Sequence, residues 1–172
     1  MLGIAALNPS YAWRPMTAGD LSSVKALADV IHPEFPETDA VFANRMALHA
    51  GGCEVLDGND GLKGYVLSHP WQDRAPPPLD AVLEPIASPS TYYIHDLALL
   101  AETRGSGAGT AIVGLLAARA RTLGLPNMTL VAVNNSVHFW QRQGFTVTDD
   151  PALGAKLLSY GDQARFMTRD LS

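Results

Sequence analysis

Cysteine is almost missing from this chain: Cys53 is the single one among 172 residues. One thiol cannot make an internal disulfide, and its solitude fits a reducing cytoplasm, the expected location. Cys53 falls in the predicted strand Cys53-Glu54-Val55-Leu56, where a buried inert thiol is expected rather than a nucleophile. No apolar run is long enough to span a bilayer. Residues Met1 to Ala6 are apolar, but the run is short and has no basic flank, so a signal peptide is not expected. No internal repeat is visible. Basic residues are the minority, 12 Lys and Arg against 17 Asp and Glu, and a net charge of -5 argues against a general nucleic-acid binder. What remains is an apolar content of 47%, suited to one globular domain over residues 1–172.

Acid is missing from one long stretch. No Asp or Glu occurs from Gly105 to Thr148, and the charged residues between Arg104 and Thr148 are Arg104, Arg119, Arg121 and Arg142. An acidic chain thus carries one cationic segment, which attracts a phosphate-bearing ligand. Arg119 and Arg121 lie well beyond the start of the predicted helix and are expected to be solvated helix-face charges.

That segment follows a strand and opens with a glycine-rich turn and the start of a helix. Tyr92 to Leu100 is rich in aromatic and branched residues, as a strand should be. Arg104-Gly105-Ser106-Gly107-Ala108-Gly109 opens the backbone to a ligand. Ile112, Leu116, Ala120 and Leu123 then recur at helical spacing, and Gly124 and Pro126 end the helix. Free N–H groups at a helix N-terminus make an anion site. The phosphate loop of nucleotide hydrolases needs a Lys after the glycines, and none is here. The dinucleotide fingerprint needs a third glycine, where Thr110 or Ile112 stands, and a carboxylate about 20 residues on. Both nucleotide readings fail, leaving Arg-x-x-Gly-x-Gly after a strand.

Arg104-x-x-Gly107-x-Gly109, after Leu97-Ala98-Leu99, resembles the acyl-CoA signature of the GNAT superfamily of N-acyltransferases. The second part of that signature is similar as well: Asn134-Asn135-Ser136, Phe139-Trp140, then Gly144-Phe145. The resemblance implies acetyl-CoA as co-substrate and no metal. It lays the backbone of Leu97, Ala98 and Leu99 along the pantetheine arm. It puts Arg104, Gly105, Ser106, Gly107, Ala108, Gly109 and Thr110 around the pyrophosphate. Asn134, Ser136 and Phe139 would border the arm from the other side.

The rest of the chain is read more coarsely. Trp13 to Met16 is a short strand. Thr17 or Asp20 caps a helix with the stripe Leu21, Val24, Leu27, Ala28, Ile31. His32-Pro33-Glu34-Phe35-Pro36-Glu37 breaks it. A second helix runs from Asp39 to Ala50. Strands Cys53 to Leu56 and Leu62 to Ser68 are joined by the turn Asp57-Gly58-Asn59-Asp60-Gly61. From His69 to Thr91 six prolines argue for a loop, functional or dispensable. Asn127 to Val133 is a strand, Ser136 to Gln143 a short helix, and Phe145 to Val147 and Arg165 to Arg169 are closing strands. The expected fold is α/β with a GNAT-like, mixed, mostly antiparallel central sheet flanked by helices.

The expected reaction moves an acetyl group to the primary amine of a small molecule or peptide. An ammonium must first lose a proton, and an imidazole can take it. Tyr93, His95, Leu97 and Leu99 alternate to one strand face. His95 and Tyr93 fall where the arylalkylamine acyltransferases carry His-x-His. Asp96 points to the other face unless the strand is bulged, in which case it is a second candidate base. Where many members place a tyrosine acid this chain has Trp140, whose indole is no acid near neutral pH. Glu34, Phe35 and Glu37 lie where the family walls its acceptor. No nucleic-acid or membrane partner is expected, and a homodimer is left open. An alternative is an acyl-CoA-binding sensor without turnover.

Overall fold

The computed structural model describes residues 7–172. The apolar segment Met1 to Ala6, expected not to be a signal peptide, lies outside the described residues. Seven strands form one sheet in the order β1-β2-β3-β4-β5-β7-β6. They are β1 (Ala12–Pro15), β2 (Cys53–Gly58), β3 (Gly61–Trp71), β4 (Thr91–Leu99), β5 (Asn127–Ala132), β6 (Thr146–Val147) and β7 (Arg165–Asp170). Among the described residues only the β4–β5 pair is parallel; the remaining pairs are antiparallel. The mixed, mostly antiparallel sheet flanked by helices is the one expected.

Helices cover both faces. On one side α1 (Leu21–Ile31) and α2 (Asp39–Leu48) bury Val24, Ala28 and Phe42 against Val55, Tyr65, Leu67 and Ala98. On the other, α3 (Ala108–Thr122) and α4 (Val137–Arg142) pack Ile112, Leu116, Ala120 and Trp140 on Ile94, Met128, Leu130 and Met167. Leu123, placed in the α3 stripe by its spacing, is 49% exposed just past the helix end. The start of α1 is fixed by a capping box, in which the Thr17 N–H donates to the Asp20 carboxylate at 2.8 Å. Arg14 grips the same carboxylate through both terminal nitrogens, at 2.7 and 2.8 Å.

Three features depart from the sequence reading. β3 continues through Pro70 to Trp71, because β2 stops pairing at Leu67 and Pro70 is asked for no N–H on that edge. A fifth helix, α5 (Gly154–Leu158), lies between β6 and β7, where only a connection was expected. The third departure shapes the site. Leu67 of β3 pairs with Asp96 and the next residue, Ser68, pairs with Ile94, so His95 is an extra residue in β4. This bulge shifts the side-chain phase. Ile94 and Leu97, three apart, both pack on the α3 side, while Ala98 packs on the α1–α2 side. The expected alternation through Tyr93, His95, Leu97 and Leu99 is therefore corrected: it breaks at His95.

Candidate active site

The two parallel strands part after a short pairing. β4 and β5 are in register from Tyr92–Met128 to Ile94–Leu130, and no further. Beyond Ile94 the edge of β4 that faces β5 has no strand partner among the described residues. A cleft of about 730 Å³ opens in the gap. Leu97 and Leu99 line one wall, and Val131, Val133, Asn134, Ser136 and Phe139 the other. Its far end is the turn before α3, with Arg104, Gly105, Gly107, Ala108, Gly109 and Thr110 all lining it.

Local chemistry explains why the turn sits there. Gly107 caps α3 at φ 84°, a left-handed conformation that a side chain would strain. A Cβ on Gly109 would stand 2.8 Å from the Phe139 ring, so this glycine lets α4 approach α3. That close packing, rather than space for phosphate, is the first demand on Gly109. The first-turn N–H groups of α3 have no partner within the helix, and the residues that carry them, Ala108, Gly109 and Thr110, line the cleft. The Ala108 N–H is met by the Ser106 hydroxyl at 3.2 Å. Arg104 and Arg142 line the cleft, whereas Arg119 is spent on Glu54 at 2.6 Å and Arg121 reaches the Leu171 carbonyl. Neither arginine lines the cleft, but the expectation of a solvated charge is corrected for Arg119, which is paired with buried Glu54.

A smaller cavity of about 50 Å³ adjoins the cleft. Phe35 and Glu37 come to it from the α1–α2 connection, Leu79 from the proline-rich loop, and Tyr160 from the segment after α5. His32, His95, Asp96, Val131 and Val133 line both cavities. Two histidine–carboxylate pairs meet at this junction. His95 Nε2 is 2.9 Å from Glu37 Oε1, with both side chains nearly buried. His32 Nε2 is 2.9 Å from Asp96 Oδ1, and the Tyr65 hydroxyl donates to the other Asp96 oxygen. The Asn134 amide lies 3.4 Å from His32 Nδ1.

These contacts set the protonation states. Burial pulls the His32 pKa down, but the hydrogen bond and charge of Asp96, with the charges of Glu34 and Glu37, carry it above the ordinary value. Burial pushes the Asp96 pKa up, yet its bonds to His32 and Tyr65 and the charges of His32 and His95 hold it below the usual carboxylate range. Burial and Asp96 push the Tyr65 phenol well up. Burial likewise pushes Tyr93 well up, so it stays a neutral phenol. Burial raises the Cys53 thiol to about 11, which makes it an inert core residue, as its strand position implied.

The sequence profile of the acetyltransferase (GNAT) family matches residues 22–145. The chain belongs to that family. This GNAT protein is an acyltransferase, and its sheet is the GNAT sheet. A comparison with curated protein sequences found no match. Among solved structures it is similar to Ard1 from Thermoplasma volcanium, at 16% identity and a TM-score of 0.71, over 94% of this chain and 97% of that one. It is similar to Arabidopsis thaliana Naa50 in complex with the bisubstrate analogue CoA-Ac-MVNAL, at 17% identity and a TM-score of 0.70, over 93% and 98%. Nourseothricin acetyltransferase aligns at 22% identity and a TM-score of 0.63, over 95% and 99%.

Of the residues singled out in sequence, the two signature motifs face each other across the cleft of this GNAT protein. Ala98 is the exception along β4: it is buried on the α1–α2 side and only its backbone is on offer. Ser106 is buried and holds the turn together. The bulge brings Asp96 to the junction, the condition on which it was a candidate, and both its oxygens are already engaged. Trp140 lines the cleft, packed edge-on against Phe139 and Phe145. His32 was missed. It read as part of a helix break, and its partner stands 64 residues further on. Among the described residues no cluster of His, Cys, Asp and Glu is suited to a metal ion, and no helix is long and apolar enough to cross a membrane.

Proposed function

We propose that this GNAT protein moves the acetyl group of acetyl-CoA to a primary amine of a small molecule or peptide. Coenzyme A occupies the large cleft and the amine enters through the smaller cavity. The observation that carries this reading is the junction: His32, His95, Asp96, Val131 and Val133 line both spaces, so two ligands can meet there.

The residues of the cleft fit the co-substrate. The α3 N-terminus with Arg104 and Arg142 suits a pyrophosphate. The unpaired edge of β4 from His95 to Leu99 suits the amides of a pantetheine arm, which can add to it as a strand would. The thioester supplies an activated acetyl group, so the protein has to position the amine and handle protons. His95 donates Nε2–H to Glu37, which fixes the ring and leaves Nδ1 free to accept the proton of the incoming ammonium. Tyr93 and Tyr160, both neutral phenols, and Phe35 and Leu79 give the amine an amphipathic wall.

The test is coenzyme A thiol release with a panel of amines, polyamines, amino acids and peptides. Turnover with at least one acceptor is expected. Tight acetyl-CoA binding with no turnover across the panel would replace transfer by the sensor reading.

A further inference from the structure

The junction carries one more imidazole than the transfer step above uses. We infer that His32 is the general acid of this enzyme: its Nδ1–H protonates the coenzyme A sulfur as the thioester breaks. The inference rests on the acetyl-transfer reading.

Placement is the first argument. His32 follows the last residue of α1, and its N–H still closes on the Ala28 carbonyl at 2.8 Å. The ring therefore sits at the negative end of the α1 dipole, which favours a cation. It lines the cleft and the smaller cavity alike. One ring nitrogen is fixed on Asp96, and the other, Nδ1, lies at the cleft wall 3.4 Å from the Asn134 amide nitrogen, so the Asn134 amide flips or the contact opens when Nδ1 carries the proton. A ring held this way has one nitrogen for its counter-ion and one for the reaction.

Charge is the second argument. Asp96 from β4 faces the ring directly, and Glu34 and Glu37 of the α1–α2 connection add negative potential. His95, on β4 like Asp96, is the opposing cation when it is protonated. Asn134, from the end of β5, is neutral. Tyr65 of β3 acts only through Asp96. The sum keeps His32 protonated further up the pH scale than an ordinary imidazole.

Need is the third. Trp140 stands where the resemblance puts a phenol, and an indole N–H cannot serve as an acid near neutrality. With His32 the protons balance. The ammonium gives its first proton to His95. As the N–C bond forms and the C–S bond breaks, the electron pair of the C–S bond goes to sulfur, and the His32 proton follows it. The nitrogen, still cationic after the attack, passes its second proton to solvent, and His95 later releases the first there too. Two leave the amine, sulfur keeps one, and one is released per turnover. His32 is then neutral, still donating Nε2–H to Asp96, and regains its proton by exchange with solvent, which leaves one proton released in all.

The experiment is a pH–rate profile with an accepted amine for wild type, His32→Gln, Asp96→Asn and the double variant His32→Gln with Trp140→Tyr. An acid must be protonated, so the wild-type rate should fall on the basic side. His32→Gln should lower kcat about tenfold to a hundredfold and remove that basic limb, with KM for acetyl-CoA within about twofold. Without the Asp96 charge His32 gives up its proton sooner, so Asp96→Asn should move the limb to lower pH. The Trp140→Tyr phenol should return much of the rate lost in His32→Gln. Acetyl-CoA binding by calorimetry shows that each variant is folded. Three results overturn the inference: unchanged kcat in His32→Gln across the pH range, loss of the acidic limb instead of the basic one, or a change confined to the amine KM. A wild type that turns over no amine overturns the transfer reading itself and this inference with it.

Discussion

His95 owes its position to one unpaired residue in β4, and its orientation to Glu37. Both Glu37 oxygens are engaged: Oε1 with His95 at 2.9 Å and Oε2 with the Asp80 N–H at 3.2 Å. In the proposed mechanism Glu37 is thus a positioning residue, a role beyond the acceptor wall on which the resemblance places it. His95→Gln is expected to lower kcat about a hundredfold, to leave acetyl-CoA binding nearly unchanged, and to erase the acidic limb of the pH–rate profile. Stopped-flow thiol release over a pH series checks this; wild-type turnover at every pH would remove His95 from the mechanism. Glu37→Gln should lower kcat by more than it raises the amine KM, because it loosens the base rather than a binding contact. Glu34 lines neither cavity, so Glu34→Gln should leave both constants within about twofold, at or below the worth of one exposed charge. Steady-state kinetics of the two variants side by side separates a positioning role from simple acceptor attraction. The sequence could point to His95 because its match to the His-x-His run and its place on the strand before the glycine turn are local signals, even though the alternation breaks there. It could not point to His32, whose role comes from a contact with a strand far along the chain.

The elements show the same division between local and distant causes. Helices α1, α2 and α3 and the β2–β3 hairpin follow from spacing, caps and turn residues within one stretch of chain. The bulge in β4 and its parting from β5 depend on two neighbouring strands at once, so no single stretch announces them. The proline-rich loop is a further case. Its composition excludes regular structure but says nothing of where it lies. In the fold it is tied to α2 by a reciprocal pair, Asn44 to the Leu83 carbonyl and the Leu83 N–H to Asn44, each 2.9 Å. Arg45 adds a bond to the Ala81 carbonyl at 2.9 Å, and Tyr160 reaches the Pro77 carbonyl. So anchored, the loop presents Leu79 to the smaller cavity and the Asp80 N–H to Glu37. Asn44→Ala removes both bonds of the pair, a loss of about 1–3 kcal/mol. The expected result is faster amide exchange over residues 79–85, with a higher amine KM and an unchanged acetyl-CoA KM. Exchange confined to other parts of the chain would show that the loop is held by something else.

The whole molecule responds to protons and to ligand through linkage. Burial holds His69 down at about 3, below an unfolded imidazole near about 6.5. Between those values the unfolded chain binds the extra proton, so this residue's share of stability is complete above the upper value and is lost as pH falls toward the lower one. The slope is at most about 1.4 kcal/mol per pH unit for one proton. Urea titrations of wild type and His69→Leu between pH 6 and pH 4 should differ in slope by up to that amount, and parallel lines would contradict it. Acetyl-CoA should act in the opposite sense, because the proposed site exists only in the folded chain. At a concentration about 100 times its dissociation constant it should add about 2.7 kcal/mol, which for a chain of this size raises the melting temperature by roughly 5–10 °C. Gly107→Trp puts a bulky side chain at a left-handed position in the turn that lines the cleft. The variant should be less stable by itself and, more to the point, should show no further rise when acetyl-CoA is added. A melting series with and without the ligand separates the two effects, since strain lowers both curves and a lost site closes the gap between them. If folded Gly107→Trp keeps the full ligand-induced rise, the α3 N-terminus is not where the pyrophosphate binds.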